Sequence, residues 1–260
     1  MAVREEVQEK LVGFQPKLVI NQPSHYCPGC QYGLLTRLLA EVIEELDIEG
    51  DIIGVSAVGC SIFTHAYLDI DFIDALHGRA PEVASGVKAA HFGKKTVFTL
   101  QGDGDLAAIG MGDLINAIAR GELLTTIFLN NANYGTTGGQ MAPTTIIGQK
   151  STTTPRGRDP EVEGYPIHVA ELITSLQRLV YSARCAMNTV KNVRQTKKAI
   201  TKALRIQMEG LGYSFVEVLS ACPSGWKLSP LDSLKWIEEK MMSEYPLGVF
   251  KDETGDAVES

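Results

Sequence analysis

Thr96-Val97-Phe98-Thr99-Leu100-Gln101-Gly102-Asp103-Gly104-Asp105 decides the fold. Its first half is a short apolar and β-branched run, the composition of a strand buried on both faces. Its second half is a glycine turn, after which helical periodicity covers about 106–120. The same grammar repeats outward along the chain. Ile52-Ile53-Gly54-Val55-Ser56, Thr125-Thr126-Ile127-Phe128-Leu129, Leu179-Val180-Tyr181 and Ser214-Phe215-Val216-Glu217-Val218-Leu219 read as further strands. Helical stretches lie at about 31–46, 82–92, 168–176, 190–209 and 230–242. Buried strands separated by helices predict an α/β protein, with a mostly parallel sheet and helices on both faces. Ligands bind such sheets at the carboxyl ends of the strands.

The glycine turn lies at such an end. Glycines let a backbone approach a phosphate, and a helix N-terminus offers it unpaired N–H groups. An aspartate there repels phosphate unless a hard cation lies between them, and carboxylate and amide oxygens are donors that suit Mg²⁺. The next strand ends in Asn130-Asn131-Ala132-Asn133-Tyr134-Gly135, two amides and a tight turn at the same edge. The expected cage is Asp103, the Asn131 side chain and the Asn133 carbonyl around Mg²⁺, gripping a cofactor diphosphate. Between Gly104 and Asn130 lie 25 residues, 105–129, the length of one helix and one strand. A lone Gly-Asp-Gly is usually a surface turn; joined to Asn-Asn at this spacing it matches the thiamine-diphosphate motif. No G-x-G-x-x-G follows the first strands, which disfavours a nicotinamide site.

Bulk properties narrow the class. The 260 residues suit one large domain, and 44% hydrophobic content argues against disorder. With 24 basic and 31 acidic side chains the net charge is −7, so no basic stripe for nucleic acid is expected; Lys191, Lys197, Lys198 and Lys202 read as a solvated helix face. Met1 to Glu6 lacks the apolar core of a signal peptide and no run of about twenty apolar residues spans a membrane, so a cytoplasmic location is expected. There, clustered cysteines point to metal or redox work rather than disulfides. Residues 133–166 hold six glycines and four prolines, too long an irregular stretch for an idle connection, and predict a binding loop.

Cys27-Pro28-Gly29-Cys30 puts two thiols within reach of one metal; alone it is half a zinc site, a redox pair or a pair of cluster ligands. Cys60 and Cys222 each follow a predicted strand and could join them. Four thiolates suit zinc or a [4Fe–4S] centre equally on coordination grounds. Cys185, beside a predicted strand, reads as a small core hydrophobe.

Seven motifs then occur in one order: Cys27-Pro28-Gly29-Cys30, Gly59-Cys60-Ser61, His77-Gly78-Arg79-Ala80, the turn 101–105, the turn 130–135, Thr137-Gly138-Gly139-Gln140 and Cys222-Pro223. Over roughly residues 14–250 the chain resembles the β subunit of the 2-oxoacid:ferredoxin oxidoreductases. The resemblance implies a thiamine-diphosphate-binding fold. It divides the chain into an N-terminal extension (1–13), one thiamine-diphosphate-binding domain with cluster-binding loops (14–250) and a flexible tail (251–260). It implies a [4Fe–4S] cluster on Cys27, Cys30, Cys60 and Cys222, and Mg²⁺ on Asp103, Asn131 and Asn133. Ser61, Gly102, Asp103, Gly104, Asp105, Asn131, Asn133, Gly135, Thr136 and Thr137 are expected at the cofactor, with His77 as a catalytic candidate beside it.

The activity implied is oxidative decarboxylation of a 2-oxoacid with coenzyme A, giving acyl-CoA, CO₂ and reduced ferredoxin. An α subunit is expected to complete the thiamine site, so the chain alone should be inactive; a γ subunit and a ferredoxin-like subunit or ferredoxin are the further partners. Ile62 and Phe63 stand just after Cys60, where pyruvate- and 2-oxoglutarate-using relatives tend to carry a basic residue. That favours an apolar substrate side chain, as in 3-methyl-2-oxobutanoate, over pyruvate or 2-oxoglutarate. The rival classes are a cluster-free thiamine lyase or carboligase and a non-enzymatic module with a structural zinc.

Overall fold

A computed structural model describes residues 15–255. The extension expected over 1–13 lies outside the described residues, as do positions 256–260 of the expected tail. Seven strands form one sheet: β1 (Ile52–Ala57), β2 (Asp71–Ala75), β3 (Thr96–Gly102), β4 (Thr125–Asn130), β5 (Leu179–Ala186), β6 (Tyr213–Leu219) and β7 (Gly248–Asp252). Their order is β2-β1-β3-β4-β6-β5-β7, and every neighbouring pair is parallel except β5 with β7. The five strands read from sequence all form, and the sheet is mostly parallel as expected.

Side-chain alternation explains why helices cover both faces. Phe98, Leu100, Ile127, Leu129, Val216 and Val218 pack with helices Tyr32–Glu45 and Val190–Met208. Val55, Val97, Phe128 and Phe215 point the other way, onto helices Ala80–Ala90 and Met111–Ala119. Each of these fully buried side chains contributes on the order of 2 kcal/mol through apolar burial. After β1 the chain turns outward to β2, then crosses to β3 on the other side of β1. The carboxyl ends of β1 and β3 therefore flank a topological switch point, where open α/β sheets form crevices.

Three departures from the sequence reading matter. The helix expected at 106–120 opens as a π-helical turn, Gly104–Ile109, with Gly110 N–H donating to the Asp105 carbonyl at 2.8 Å. Such wide turns recur at functional sites. Strands β2 and β7 escaped the reading because they are edge strands, mostly solvent-facing and without a continuous apolar run. The tail expected to fray from Lys251 instead continues β7 to Asp252, and Glu253 N–H donates to the Val180 carbonyl at 2.9 Å.

The long connection after β4 is ordered mainly by loop hydrogen bonds. Arg158, 5% exposed, donates from Nε to the Gly164 carbonyl at 2.9 Å and from its two terminal nitrogens to the carbonyls of Pro143, Thr145, Glu163 and Tyr165. One guanidinium thus satisfies five backbone oxygens of the loop. Ala132, Ile146, Ala221, Ile237, Met241 and Tyr245 form a small apolar cluster beneath it.

Candidate active site

The carboxyl ends of β1, β3 and β4 open onto a cavity of about 440 Å³. Its wall includes Val58, Gly59 and Cys60 after β1, Gly102 to Asp105 after β3, and Asn131 and Asn133 to Thr137 after β4. Tyr32, His77 and Gln140 complete it. Among the described residues lining it there is no lysine or arginine.

Asp103 anchors the floor. It is 2% exposed and carries no ion-pair partner among the described residues. Its carboxylate accepts from Asn131 N–H at 2.9 Å, from Ala132 N–H at 3.2 Å and from the Thr144 hydroxyl. Burial outweighs these bonds and pushes the carboxyl up to about 7. Gly104 follows because a side chain would strike Tyr134: an added Cβ would lie 1.7 Å from its ring. The Asn131 side-chain oxygen lies 3.0 Å from Asp103 Oδ2 and 2.8 Å from the Asn133 carbonyl oxygen, with the Asn133 side-chain nitrogen at 3.2 Å. Turning that amide over would supply two N–H donors instead. The alternative that satisfies three clustered oxygens is a cation. Mg–O bonds of 2.0–2.1 Å at right angles place neighbouring oxygens about 2.9 Å apart. The oxygen set fits Mg²⁺.

Ala132 makes this geometry possible by adopting φ 54°. That left-handed residue reverses the chain between Asn131 and Asn133. The Trp226 indole N–H and the Asn133 side-chain amide both donate to the Asn131 carbonyl, at 2.9 and 2.8 Å, and hold the reversed turn in place.

The thiols lie beside this turn. A Cβ added to Gly135 would sit 3.4 Å from Cys222 Sγ and 3.5 Å from Cys60 Sγ, so the two sulfurs flank the bare backbone of Gly135 on the cavity wall. Cys60 Sγ is 2.9 Å from the Thr136 hydroxyl, and Cys222 Sγ donates weakly to Asn133 Oδ1 at 3.8 Å. Burial pushes Cys30 up to about 12, with the charges of Cys60, Cys222 and Cys27 adding to it. Burial also raises Cys60, and raises Cys222 to about 11. Among the described residues no three Cys, His, Asp or Glu side chains gather tightly enough for a single metal ion. Four thiols, three of them half-buried and within electrostatic reach of one another, favour the thiolate form only when a metal centre neutralises them. Cys185 sits on β5 away from the cavity wall, partly buried against the core as its sequence context suggested.

One expected cofactor contact and the two residues read as facing the substrate do not line the cavity. Ser61 is buried with its hydroxyl donating to the Ala57 carbonyl at 3.0 Å. Ile62 and Phe63 are not on the wall either: Phe63 stacks on His25 and meets Tyr26 edge-on. The cause is the 3₁₀ helix Cys60–Ala66, which turns these residues away from the β1 end. Asp105 lines the wall, but its oxygens accept from Gly78 N–H and from Gln101 Nε2 at 2.8 Å, which ties the His-Gly-Arg turn to β3. Sequence reading missed Tyr32, Tyr134, Gln140 and Thr144. Gln140 and Tyr134 each stood inside a quoted motif, Thr137-Gly138-Gly139-Gln140 and the turn 130–135, whereas Tyr32 and Thr144 carried no signal.

The family model for thiamine pyrophosphate enzymes, C-terminal TPP binding domain, matches residues 57–218. That span runs from the end of β1 nearly to the end of β6 and contains the cavity's β1, β3 and β4 loops. The class of protein is therefore a thiamine-diphosphate-binding one. Ketoisovalerate oxidoreductase subunit VorA of Methanothermobacter marburgensis is 43% identical over 233 residues, 90% of this chain and 48% of the relative. 2-Oxoglutarate synthase subunit KorB of Methanocaldococcus jannaschii is 35% identical over 223 residues, 84% of this chain and 78% of the relative. A solved 2-oxoglutarate:ferredoxin oxidoreductase from Magnetococcus marinus shares the fold, with TM-score 0.75 and 24% identity over 94% of this chain and 86% of that one. The chain belongs to the 2-oxoacid:ferredoxin oxidoreductase family, as a thiamine-pyrophosphate-binding subunit. It spans about half the length of the VorA relatives it matches. Among the described residues no helix is long and apolar enough to cross a membrane.

Proposed function

We propose that this chain is the subunit of a 2-oxoacid:ferredoxin oxidoreductase that holds the cofactor diphosphate through Mg²⁺ and carries a [4Fe–4S] cluster. The observation that carries the reading is that the Asn131 side-chain oxygen sits 3.0 Å from Asp103 Oδ2 and 2.8 Å from the Asn133 carbonyl on the cavity floor. Those three would bind Mg²⁺, and Gly102, Gly104, Gly135, Thr136 and Thr137, all on the cavity wall, would lie along the diphosphate. Cys27, Cys30, Cys60 and Cys222 would ligate the cluster. When bound, thiamine diphosphate supplies a carbon nucleophile and electron sink for decarboxylating a 2-oxoacid, and a [4Fe–4S] cluster supplies one-electron transfer.

The chain's own residues then do three things. The Asp103 turn fixes the cation and with it the cofactor tail. Tyr32 and Tyr134 wall the cavity with aromatic surface that excludes water. His77 Nδ1 lies 2.7 Å from the Val58 carbonyl, which only accepts, so Nδ1 carries a proton and Nε2 is the nitrogen left for other partners. His77 would thereby present Nε2 as its catalytic atom at the cavity wall.

The favoured substrate is 3-methyl-2-oxobutanoate or another branched-chain 2-oxoacid. The 43% identity to ketoisovalerate oxidoreductase subunits supports it, as does a cavity wall without lysine or arginine to meet the second carboxylate of 2-oxoglutarate. Coenzyme A would take the acyl group and ferredoxin the electrons. An α subunit would complete the thiamine site, alongside a γ subunit and a ferredoxin-like subunit, in the cytoplasm. Co-expression with these partners and purification under argon provides the test. Iron, sulfide, magnesium and thiamine are then counted per chain, and turnover of 3-methyl-2-oxobutanoate is compared with that of 2-oxoglutarate. Material holding neither thiamine nor iron would overturn the class; preference for 2-oxoglutarate would overturn the substrate.

A further inference from the structure

Asn130, the residue before the cation loop, points away from the cavity and into the sheet. It is fully buried, and its amide is read from two sides. Asn130 Oδ1 accepts from Ala132 N–H at 3.1 Å, and Asn130 Nδ2 donates to Glu217 Oε1 at 2.7 Å. The orientation follows from chemistry: a backbone N–H only donates, so the amide must turn its oxygen to Ala132 and its NH₂ to Glu217. Glu217, on β6 and itself 0% exposed, accepts at its other oxygen from Arg184 Nε at 2.9 Å. Arg184 cannot yield. It is 1% exposed, lies over the rings of Tyr245 and Phe250, and donates to both oxygens of Glu171 and to the Pro246 carbonyl. Both Glu217 oxygens therefore accept, and the polarity of every bond from Arg184 to Ala132 is set in one direction.

We infer that the Arg184–Glu217–Asn130 chain is a positioning device for the cation cage: it fixes the left-handed turn at Ala132 and so aims the Asn131 side chain and Asn133 carbonyl at Asp103. Ala132 N–H is the meeting point, because it is shared between Asn130 Oδ1 and Asp103 Oδ1. None of Arg184, Glu217 and Asn130 lines the cavity. All three act through the turn. The inference rests on the cation reading given above and assigns it a hydrogen-bond polarity.

That polarity can be reversed on purpose. In Glu217→Gln the introduced amide must keep its oxygen on Arg184, which turns its NH₂ toward Asn130. Asn130 must then present its oxygen to that NH₂ and its own NH₂ to Ala132 N–H, donor against donor. In Asn130→Asp the introduced carboxylate faces Glu217, acceptor against acceptor. In the double variant Glu217→Gln/Asn130→Asp every donor again meets an acceptor, and the buried negative charge has moved from β6 to β4.

The readout is Mn²⁺, used in place of Mg²⁺, titrated by electron paramagnetic resonance into the full chain with its co-expressed partners and saturating thiamine diphosphate. Supporting partners of a metal site commonly contribute 10- to 100-fold in affinity, so each single variant should weaken Mn²⁺ binding by about that factor. The double variant should return to within about threefold of the parent, while Asp103→Ala sets the floor. A purely structural role would lower the melting temperature of both singles without moving the Mn²⁺ affinity of the folded fraction, and would overturn the inference. So would a double variant no better than either single, and one folded single suffices for that comparison. If Asp103→Ala binds Mn²⁺ as the parent does, the cation reading and this inference fall together. If Asp103→Ala is impaired while Glu217→Gln and Asn130→Asp bind normally, only the inference falls.

Discussion

The two halves of the candidate site are built by opposite means. The oxygen half is finished by the protein: Asp103 accepts three bonds, and two donors pin the Asn131 carbonyl. The thiol half is unfinished. Cys60 and Cys222 have one hydroxyl and one amide contact between them, Cys27 is exposed, and among the described residues no three metal-binding side chains close around a point. Preorganised oxygens suit a small cation that tolerates little distortion, whereas a cluster brings its own rigid geometry and needs only flexible thiolates on accessible turns. A hard site is shaped before it is filled, and a soft one is shaped by what fills it.

Variants can break that contrast or sharpen it. The largest effect is expected from Cys60→Ser. Iron per chain and absorbance near 400 nm should fall at least tenfold, with the loops around 27–30 and 222–229 becoming open to protease. Thiamine diphosphate binding should survive; its loss would mean that the halves are one cooperative unit. Asp103→Ala is the mirror test, with Mg²⁺-dependent thiamine diphosphate affinity expected to drop by about 100-fold or more and iron content unchanged. Gly104→Ala comes next. With its Cβ set 1.7 Å from the Tyr134 ring, overpacking of about 1–3 kcal/mol should lower the melting temperature and weaken cofactor binding, measured by calorimetry. Thr144→Val should be smallest. Losing one hydroxyl bond to Asp103 should weaken Mg²⁺ binding by a few-fold, about 1 kcal/mol, since two backbone donors remain. Chelating Mg²⁺ should leave protease resistance unchanged; loosening of 131–144 would show that the cation helps build the oxygen half as well.

Legibility followed the same divide. The oxygen half was readable because its parts are sequence-local: Gly102-Asp103-Gly104 and Asn130-Asn131 each end a buried strand, and parallel neighbours bring such ends together. Strands β1 and β3 to β6 were readable for the same reason, being continuous apolar runs. Edge strands β2 and β7 were not, since polar, half-exposed backbone pairs without a periodic pattern. Thr144 was invisible because its bond to Asp103 spans a loop whose path no local pattern encodes. Tyr134 gave no signal that its ring would cover Gly104, and Ser61 misled because a 3₁₀ turn rotates it onto Ala57. The cysteines were countable from sequence, while their spacing in space was not.

The Arg158 hub has an evolutionary consequence. Its guanidinium grips main-chain oxygens alone, and those oxygens are present whatever amino acid occupies each position. The segment it organises can thus exchange its outward side chains while keeping its path. A library randomised at exposed positions such as Thr152, Arg156 and Tyr165 with Arg158 retained should yield mostly folded proteins, and one built on Arg158→Met should not. A single buried cation would then be what lets this surface segment diversify.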